Sequence, residues 1–175
     1  MSATEVDAVL GDAVQAIEPP LVYGGAHASR EIRSVEFAGF DYRALLQFND
    51  ENGGLQQVLL ERDRGPEAPG AYIAARDALT AEHGEPVLVC DSPRRGPRTS
   101  PISRERVWRA GATTIHLVFL DFTGGTMRYD PAQEIDPLVP DLERRLHSRR
   151  SYPQRLLIRY HPSGRDDLMS PGCGG

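Results

Sequence analysis

The side chains in this chain that could perform chemistry are scattered. The five histidines include no HxxxH pair and the two cysteines form no CxxC, so neither type makes a recognisable metal motif. His83 is predicted at a helix C-terminus, where a cation is favoured. His116 lies in a strand whose apolar face carries Ile115 and Leu117, which predicts a surface position. The sequence therefore predicts no metal site and no cofactor.

Nucleophilic catalysis has little support in the sequence. All 20 basic residues are arginine, so a P-loop lysine or a Schiff-base lysine cannot occur. Ser92, Ser100 and Ser103 lie in an arginine-bearing loop that contains no GxSxG motif. Asp91 and Asp121 end predicted strands, where polar residues are usual. We therefore expect a protein that is not an enzyme.

The residues best suited to bind a protein partner are aromatic and basic. Trp108 is the only tryptophan, and Tyr42 begins an alternating strand pattern, so both are predicted recognition anchors. Arg94, Arg95 and Arg98 share a polar loop and are predicted to pair with an acidic partner. A half-buried sheet aromatic and a solvated loop are the alternatives. The predicted function is a non-enzymatic protein–protein interaction module.

Two further functions remain open at this point. The chain ends in Gly174-Gly175, the double glycine that ubiquitin-like and sulfur-carrier proteins present to an adenylating enzyme. A disordered tail is the other interpretation of that terminus. The second alternative is a small-ligand binder or an enzyme that uses a cleft between two repeated units.

Composition limits the class of protein. The chain has 175 residues with 39% hydrophobic and 26% charged residues, as in ordinary soluble domains. No apolar stretch approaches the ~20 residues of a membrane span, and no secretory signal is recognisable, so a cytoplasmic location is predicted. Residues 1–90 carry a net charge of −9 and residues 91–175 one of +4. With a pI near 5.5, nucleic acid is not a favoured partner.

The elements that would position these residues form a repeat. Short matches recur at offsets of 71 to 74 residues. Ser29-Arg30-Glu31 matches Ser103-Arg104-Glu105, Gly39 matches Gly111, and Gly53-Gly54 matches Gly124-Gly125. Each unit is predicted as a helix, at 4–17 and 71–83, followed by short antiparallel strands.

The predicted fold class is α+β, a tandem repeat of a helix packed on a small antiparallel sheet. The first repeat covers residues 1–64 and the second residues 71–130. A helix and strand follow in a C-terminal extension at 131–162, and a flexible tail occupies 163–175. The two repeats are expected to share one core.

This pattern resembles the modules of the β-lactamase inhibitor protein and of BamE-like lipoproteins. The second unit is also similar to small actinobacterial immunity-like proteins of unknown function, over Ala78-Leu79-Thr80-Ala81-Glu82-His83-Gly84-Glu85-Pro86 and Val107-Trp108-Arg109-Ala110-Gly111-Ala112-Thr113-Thr114-Ile115. The resemblance implies a protein that binds and blocks another protein, and an immunity or inhibitor role.

Overall fold

The computed structural model describes residues 1–62, 68–92, 102–121 and 154–165. Within them the chain is a mixed α+β protein, with two α-helices, a 3₁₀ helix at Gly11–Ala13 and one antiparallel sheet of eight strands in the order β1-β2-β3-β4-β8-β7-β6-β5. The helices are α1 (Ala3–Leu10) and α2 (Ala68–His83). The strands are β1 (Gln15–Tyr23), β2 (Ala26–Phe37), β3 (Phe40–Asn49), β4 (Leu55–Arg62), β5 (Leu88–Ser92), β6 (Ile102–Ala110), β7 (Thr113–Asp121) and β8 (Gln154–Pro162).

The first helix is shorter than the sequence predicts. Ser2 caps α1 in a capping box with Glu5, but the helix ends at Gly11, whose φ of +54° favours glycine. The predicted helix over 4–17 is therefore wrong in its second half. Gly11–Ala13 form a short 3₁₀ helix, and the chain then enters β1 at Gln15, where pairing with β2 satisfies its backbone. Pro19-Pro20 lie inside this strand instead of ending a helix.

One face of the sheet packs against α2, and we call it the helical face. Alternate residues of the central strands point to it, including Leu60, Leu117 and Ile158, which form a buried cluster with Ala75 and Leu79 of α2. The smaller helix α1 lies on the same face, because Val6 packs on Leu46 and Phe48, which continue the alternation of β3.

The opposite face, which we call the polar face, also has a buried apolar cluster. Ala28, Leu45, Leu59, Val118 and Leu157 form it, from five different strands. Buried polar side chains surround it in the same face of the sheet. The centre of each sheet face is therefore closed to solvent. A binding module in its simplest form would use an exposed sheet face, and this sheet does not offer one at its centre.

The strand β8 occupies the middle of the sheet. It pairs with β4 on one side and β7 on the other, both antiparallel. The strand expected in the C-terminal extension 131–162 thus lies between the two predicted repeats and joins them in one sheet. The helix predicted within the extension lies outside the described residues, and most of the tail 163–175 does too. The domain boundaries stay predictions.

Candidate functional site

The two aromatic side chains predicted as binding anchors lie inside the protein. Trp108 is 1% exposed and Tyr42 is 2% exposed. The Trp108 Nε1–H donates a hydrogen bond to the carbonyl oxygen of Gly84 over 2.9 Å, which ties β6 to the C-terminal end of α2. Burial raises the pKa of the Tyr42 phenol. Both side chains belong to the contact between helix and sheet and are not exposed to a partner.

The remaining predicted binding residues fall in segments outside the described residues. They are Arg94, Arg95, Arg98, Gly174 and Gly175. Their roles stay predictions from the sequence alone.

The surface position predicted for His116 is wrong. The side chains of His116 and Glu105 are both 0% exposed, and Nδ1 of His116 lies 3.0 Å from Oε1 of Glu105. A carboxylate accepts, so this contact assigns the Nδ1 proton to His116. In the β6–β7 register Glu105 is opposite Val118 and His116 is opposite Val107, which makes the two polar side chains diagonal neighbours on the polar face.

A second histidine, His161 on β8, lies beside this pair. It is 3% exposed, and its ring centroid is 4.8 Å from that of His116. Its Nδ1 lies 2.8 Å from the carbonyl oxygen of Pro162, which can only accept. Burial lowers the pKa of His161; the Pro162 hydrogen bond opposes this, whereas His116, Arg109 and Arg165 add to the lowering. His161 is therefore neutral at neutral pH.

Arg159 adds a positive charge to this group. It pairs with His116 in the β7–β8 register. Burial lowers the pKa of the Arg159 guanidinium, and the charge of Glu105 opposes that lowering. We call Glu105, His116, Arg159 and His161 the buried polar cluster. In this cluster the negative charge of Glu105 and the positive charge of Arg159 offset each other. This lowers the free-energy cost of placing charge between packed strands.

The buried polar cluster contains two buried imidazole nitrogens that could accept a hydrogen bond. Within the described part of the chain, the Nε2 atoms of His116 and His161 have no hydrogen-bond partner. In the neutral tautomer with its proton on Nδ1, an imidazole carries a lone pair on Nε2 that can accept from an O–H or N–H donor. Among the described residues, no three His, Cys, Asp or Glu side chains come together as metal ligands.

The sequence contains part of the signal for this cluster. Strand alternation correctly directs His116 away from Ile115 and Leu117, and it directs Glu105 away from Trp108. It does not reveal that the polar face is buried, since polar residues at every second position are equally typical of a solvated face.

The edge strand β5 is a second candidate site because it exposes apolar side chains. Val89 is 57% exposed, and Val87, just before the strand, is 63% exposed. The strand pairs with β6 through five consecutive residues without a register shift. Its one charged side chain, Asp91, accepts hydrogen bonds from Arg106 at 2.8 and 3.1 Å, and these lower the pKa of the carboxyl.

The opposite edge strand, β1, differs in its backbone. Val22 is 80% exposed, but Pro19 and Pro20 supply no N–H to a neighbouring strand, and the pairing with β2 shifts register between Ala16 and Leu21. Proline and irregular pairing are devices by which sheet edges avoid unwanted strand addition. Of the two edges of the described sheet, β5 is the regular one.

A shallow pocket lies at the ends of β3 and β4, within the first predicted repeat. Charged side chains dominate its lining: Arg33, Asp41, Arg43, Glu61 and Arg62, with Tyr42 beside them. Arg43 already pairs with Glu31, and Arg62 lies over the Phe40 ring at 5.1 Å. This pocket does not lie between the two repeats, where a ligand cleft was an alternative expectation.

No protein-family model matches this chain, and neither a curated protein nor a solved structure matches it.

Neither of the helices that the structure describes combines the length and apolar character needed to cross a bilayer.

Cys90, in β5, is partly exposed and disulfide-bonded.

Proposed function

We propose that this chain is a non-enzymatic protein-binding module, of the immunity or inhibitor type, that recognises another protein by strand addition at β5. The observation that carries the proposal is the regular edge of β5 with its two exposed valines. Strand addition draws its affinity from main-chain hydrogen bonds, and its specificity from alternate side chains of the added strand.

The chemistry of the edge defines the partner segment. An extended segment with apolar residues at alternate positions would pack on Val87 and Val89. The Asp91–Arg106 pair leaves no uncompensated charge on β5 to oppose such a segment. Because the edge holds the partner by its backbone, the mode of action would be steric blocking, with no chemical step by this chain. No cofactor enters the proposal, and a cytoplasmic location stays a prediction.

The arginine loop that follows β5 would add electrostatic contacts. Arg94, Arg95 and Arg98 come directly after the strand in the sequence, so a partner docked on β5 with an acidic surface would meet them. We expect the triple alanine variant to weaken the complex, mainly through slower association at low salt. Unchanged affinity would remove the loop from the proposal.

We also infer that the two predicted repeats, 1–64 and 71–130, are tandem copies of one unit. In each of them a helix precedes antiparallel strands, α1 before β1 to β4 and α2 before β5 to β7, and β8 of the C-terminal extension lies between the two groups of strands. The matching stretches that begin at Ser29 and Ser103 lie in β2 and β6, whereas Gly124-Gly125 lies outside the described residues. Gly39 turns β2 into β3 and Gly111 turns β6 into β7, with φ of +79° and +61°.

A small-ligand binder or an enzyme is the second candidate, and the buried polar cluster favours it. Two buried imidazole nitrogens without hydrogen-bond partners are unusual in a purely structural site. A thermal-shift screen against small acids and alcohols tests this function. Stabilisation by a compound that is lost in His116→Gln would favour it over the binding module. The Gly-Gly carrier alternative depends on residues outside the described part.

The binding function is tested by affinity capture from the native organism's lysate with a matched pair of variants. Val89→Glu places a carboxylate on β5, whereas Val22→Glu makes the same change on the irregular edge β1. We expect one stoichiometric partner with the wild type and with Val22→Glu, and its loss with Val89→Glu. Equal capture by both variants would contradict binding at β5. A chain that ends at Cys173, and so lacks only Gly174 and Gly175, reports separately on the Gly-Gly terminus.

A further inference from the structure

We propose that Cys90 is one half of a thiol–disulfide switch that sets how accessible the edge of β5 is to a partner. The proposal rests on the strand addition at β5 proposed above, and it concerns the regulation of that same site. In the oxidised protein the disulfide ties another part of the chain to β5, and reduction releases that part.

The covalent partner of Cys90 follows from the composition of the chain. Cys90 is disulfide-bonded, and the chain contains two cysteines. Within one chain the bond therefore joins Cys90 to Cys173, which lies outside the described residues. Because Gly174-Gly175 follow Cys173 directly in the sequence, the disulfide ties the C-terminal end of the chain to this edge of the sheet.

The disulfide competes with an added strand for space. Cys90 is the middle residue of β5 (Leu88–Ser92). The Cα atoms of two disulfide-bonded cysteines lie about 4.4–6.8 Å apart, and neighbouring strands of a sheet lie about 4.8 Å apart. A main chain held this close to the centre of β5 hinders the approach of a partner's backbone to the strand.

The disulfide and the exposed valines lie on opposite sides of β5. In the β5–β6 register Cys90 is opposite Glu105, whose side chain lies on the polar face. Val89 is the preceding residue of the strand, so its side chain points to the other side, and it is 57% exposed with the disulfide in place. The redox state therefore changes access to the backbone of β5 and leaves its apolar contact surface unchanged.

Cys90 has the surroundings of a reducible disulfide. The residue is partly exposed, so a reductant can reach its sulfur, and exposed disulfides are the labile or regulatory ones. In the part of the chain that the structure describes, Cys90 belongs to none of the three buried apolar clusters. The sheet should therefore remain folded after reduction. A disulfide in a cytoplasmic protein, which is the predicted location, is usually transient.

The chemical step is thiol–disulfide exchange with a dithiol reductant. A thiolate of the reductant attacks one sulfur of the disulfide, and the other cysteine leaves as a thiolate that takes up a proton. The second thiol of the reductant then resolves the mixed disulfide. The reductant is oxidised to its own disulfide and gives two electrons and two protons to the chain, so that Cys90 and Cys173 each end as a thiol.

Alkylation followed by intact mass spectrometry tests the bond in the folded, full-length chain. We expect no alkylation of the oxidised protein, and alkylation of both cysteines after dithiothreitol at neutral pH without denaturant. Hydrogen–deuterium exchange of the peptide that contains β5 then reports access to the edge, and it should be faster after reduction. Cys173→Ser, which cannot form the bond, should exchange at the reduced rate with and without dithiothreitol. Far-UV circular dichroism establishes that each form is folded.

Binding at the edge is measured by fluorescence anisotropy with a labelled synthetic peptide of alternating valine and threonine. One side of this extended peptide can pack on Val87 and Val89. We expect the reduced chain and Cys173→Ser to bind the peptide about tenfold more tightly than the oxidised chain. Val89→Glu should weaken binding in both redox states, whereas Val22→Glu should leave it unchanged.

The outcomes separate the switch from the binding function. Equal exchange of β5 in the oxidised and reduced chains, or a response to dithiothreitol that Cys173→Ser retains, would overturn the switch. A covalent dimer on a non-reducing gel would overturn it too, because Cys90 would then be bonded to another chain. Faster exchange on reduction without peptide binding in either state would support the switch and contradict the binding function. Peptide binding that Val89→Glu abolishes and reduction does not change would support the binding function and overturn the switch.

Discussion

His161 should make the stability of this protein depend on pH in the mildly acidic range. The side chain is 3% exposed, and burial is the main reason that its pKa in the folded protein lies below the ordinary value. In the unfolded chain the imidazole regains water and titrates near pH 6.5. We therefore expect the folded state to resist a proton that the unfolded state accepts.

The sign and size of the effect follow from proton linkage. As the pH falls below about 6.5, the unfolded state binds one more proton than the folded state, so the free energy of unfolding decreases. One proton gives a maximum slope of about 1.4 kcal/mol per pH unit. The decrease stops once the folded His161 is itself protonated. Above about pH 8 both states are neutral at this residue and it contributes no pH dependence.

The assay is urea unfolding followed by circular dichroism at a series of pH values from neutral to mildly acidic. His161→Asn keeps an N–H that can reach the Pro162 carbonyl but does not titrate, and His161→Phe keeps the ring beside His116. A further measurement near pH 8 gives the packing cost of each variant separately. A plot of the free energy of unfolding against pH should lose, in both variants, the part of the wild-type slope that is due to His161. Subtracting the curve of each variant from the wild-type curve isolates that part. A slope that is the same in wild type and both variants would refute the reasoning.

Three further predictions concern the interior. Glu105→Ala leaves the His116 Nδ1–H without its acceptor and should lower the free energy of unfolding by about 1–3 kcal/mol; Glu105→Gln, which retains an acceptor oxygen, should lose less in the same urea titration. Leu117→Ala opens a cavity at a fully buried position and should cost about 2–5 kcal/mol by chemical denaturation, so a cost below 1 kcal/mol would argue against the helical-face core. Trp108 should emit at short wavelength and resist acrylamide quenching until the main unfolding transition, whereas red-shifted emission from the native protein would contradict its burial.

Local patterns in the sequence predicted much of the secondary structure. Alternation from Tyr42 to Phe48 and from Leu156 to Tyr160 predicted β3 and β8. The helix predicted at 71–83 matches α2 with an earlier start, and its stop at Gly84 has a φ of +80°. These elements depend on residues close in sequence, so a single chain carries enough information to predict them.

The start of the chain shows where local patterns fail. Val6, Leu10, Val14 and Ile17 have helical spacing, yet only the first two lie in α1. Val14 packs in the cluster around Val6, and Ile17 in the cluster on the polar face. Pairing with β2 determines this outcome. The residues of β2 lie outside the segment 4–17, so the helical spacing within that segment carries no information about the pairing.

The sequence by itself determined the α+β class, the alternating faces of the strands and the direction in which His116 points. The tertiary structure alone decided which faces are buried, where β8 inserts, and which strands remain at the edges. Trp108 and Tyr42 were predicted as anchors because aromatic residues suit interfaces, but they equally suit the contact between a helix and a sheet. Val87 and Val89 lie in a short apolar run that is typical of an ordinary strand, and the tertiary structure leaves both exposed at the sheet edge. Burial and edge position depend on the order in which distant strands pair, and no local pattern of residue types contains that order.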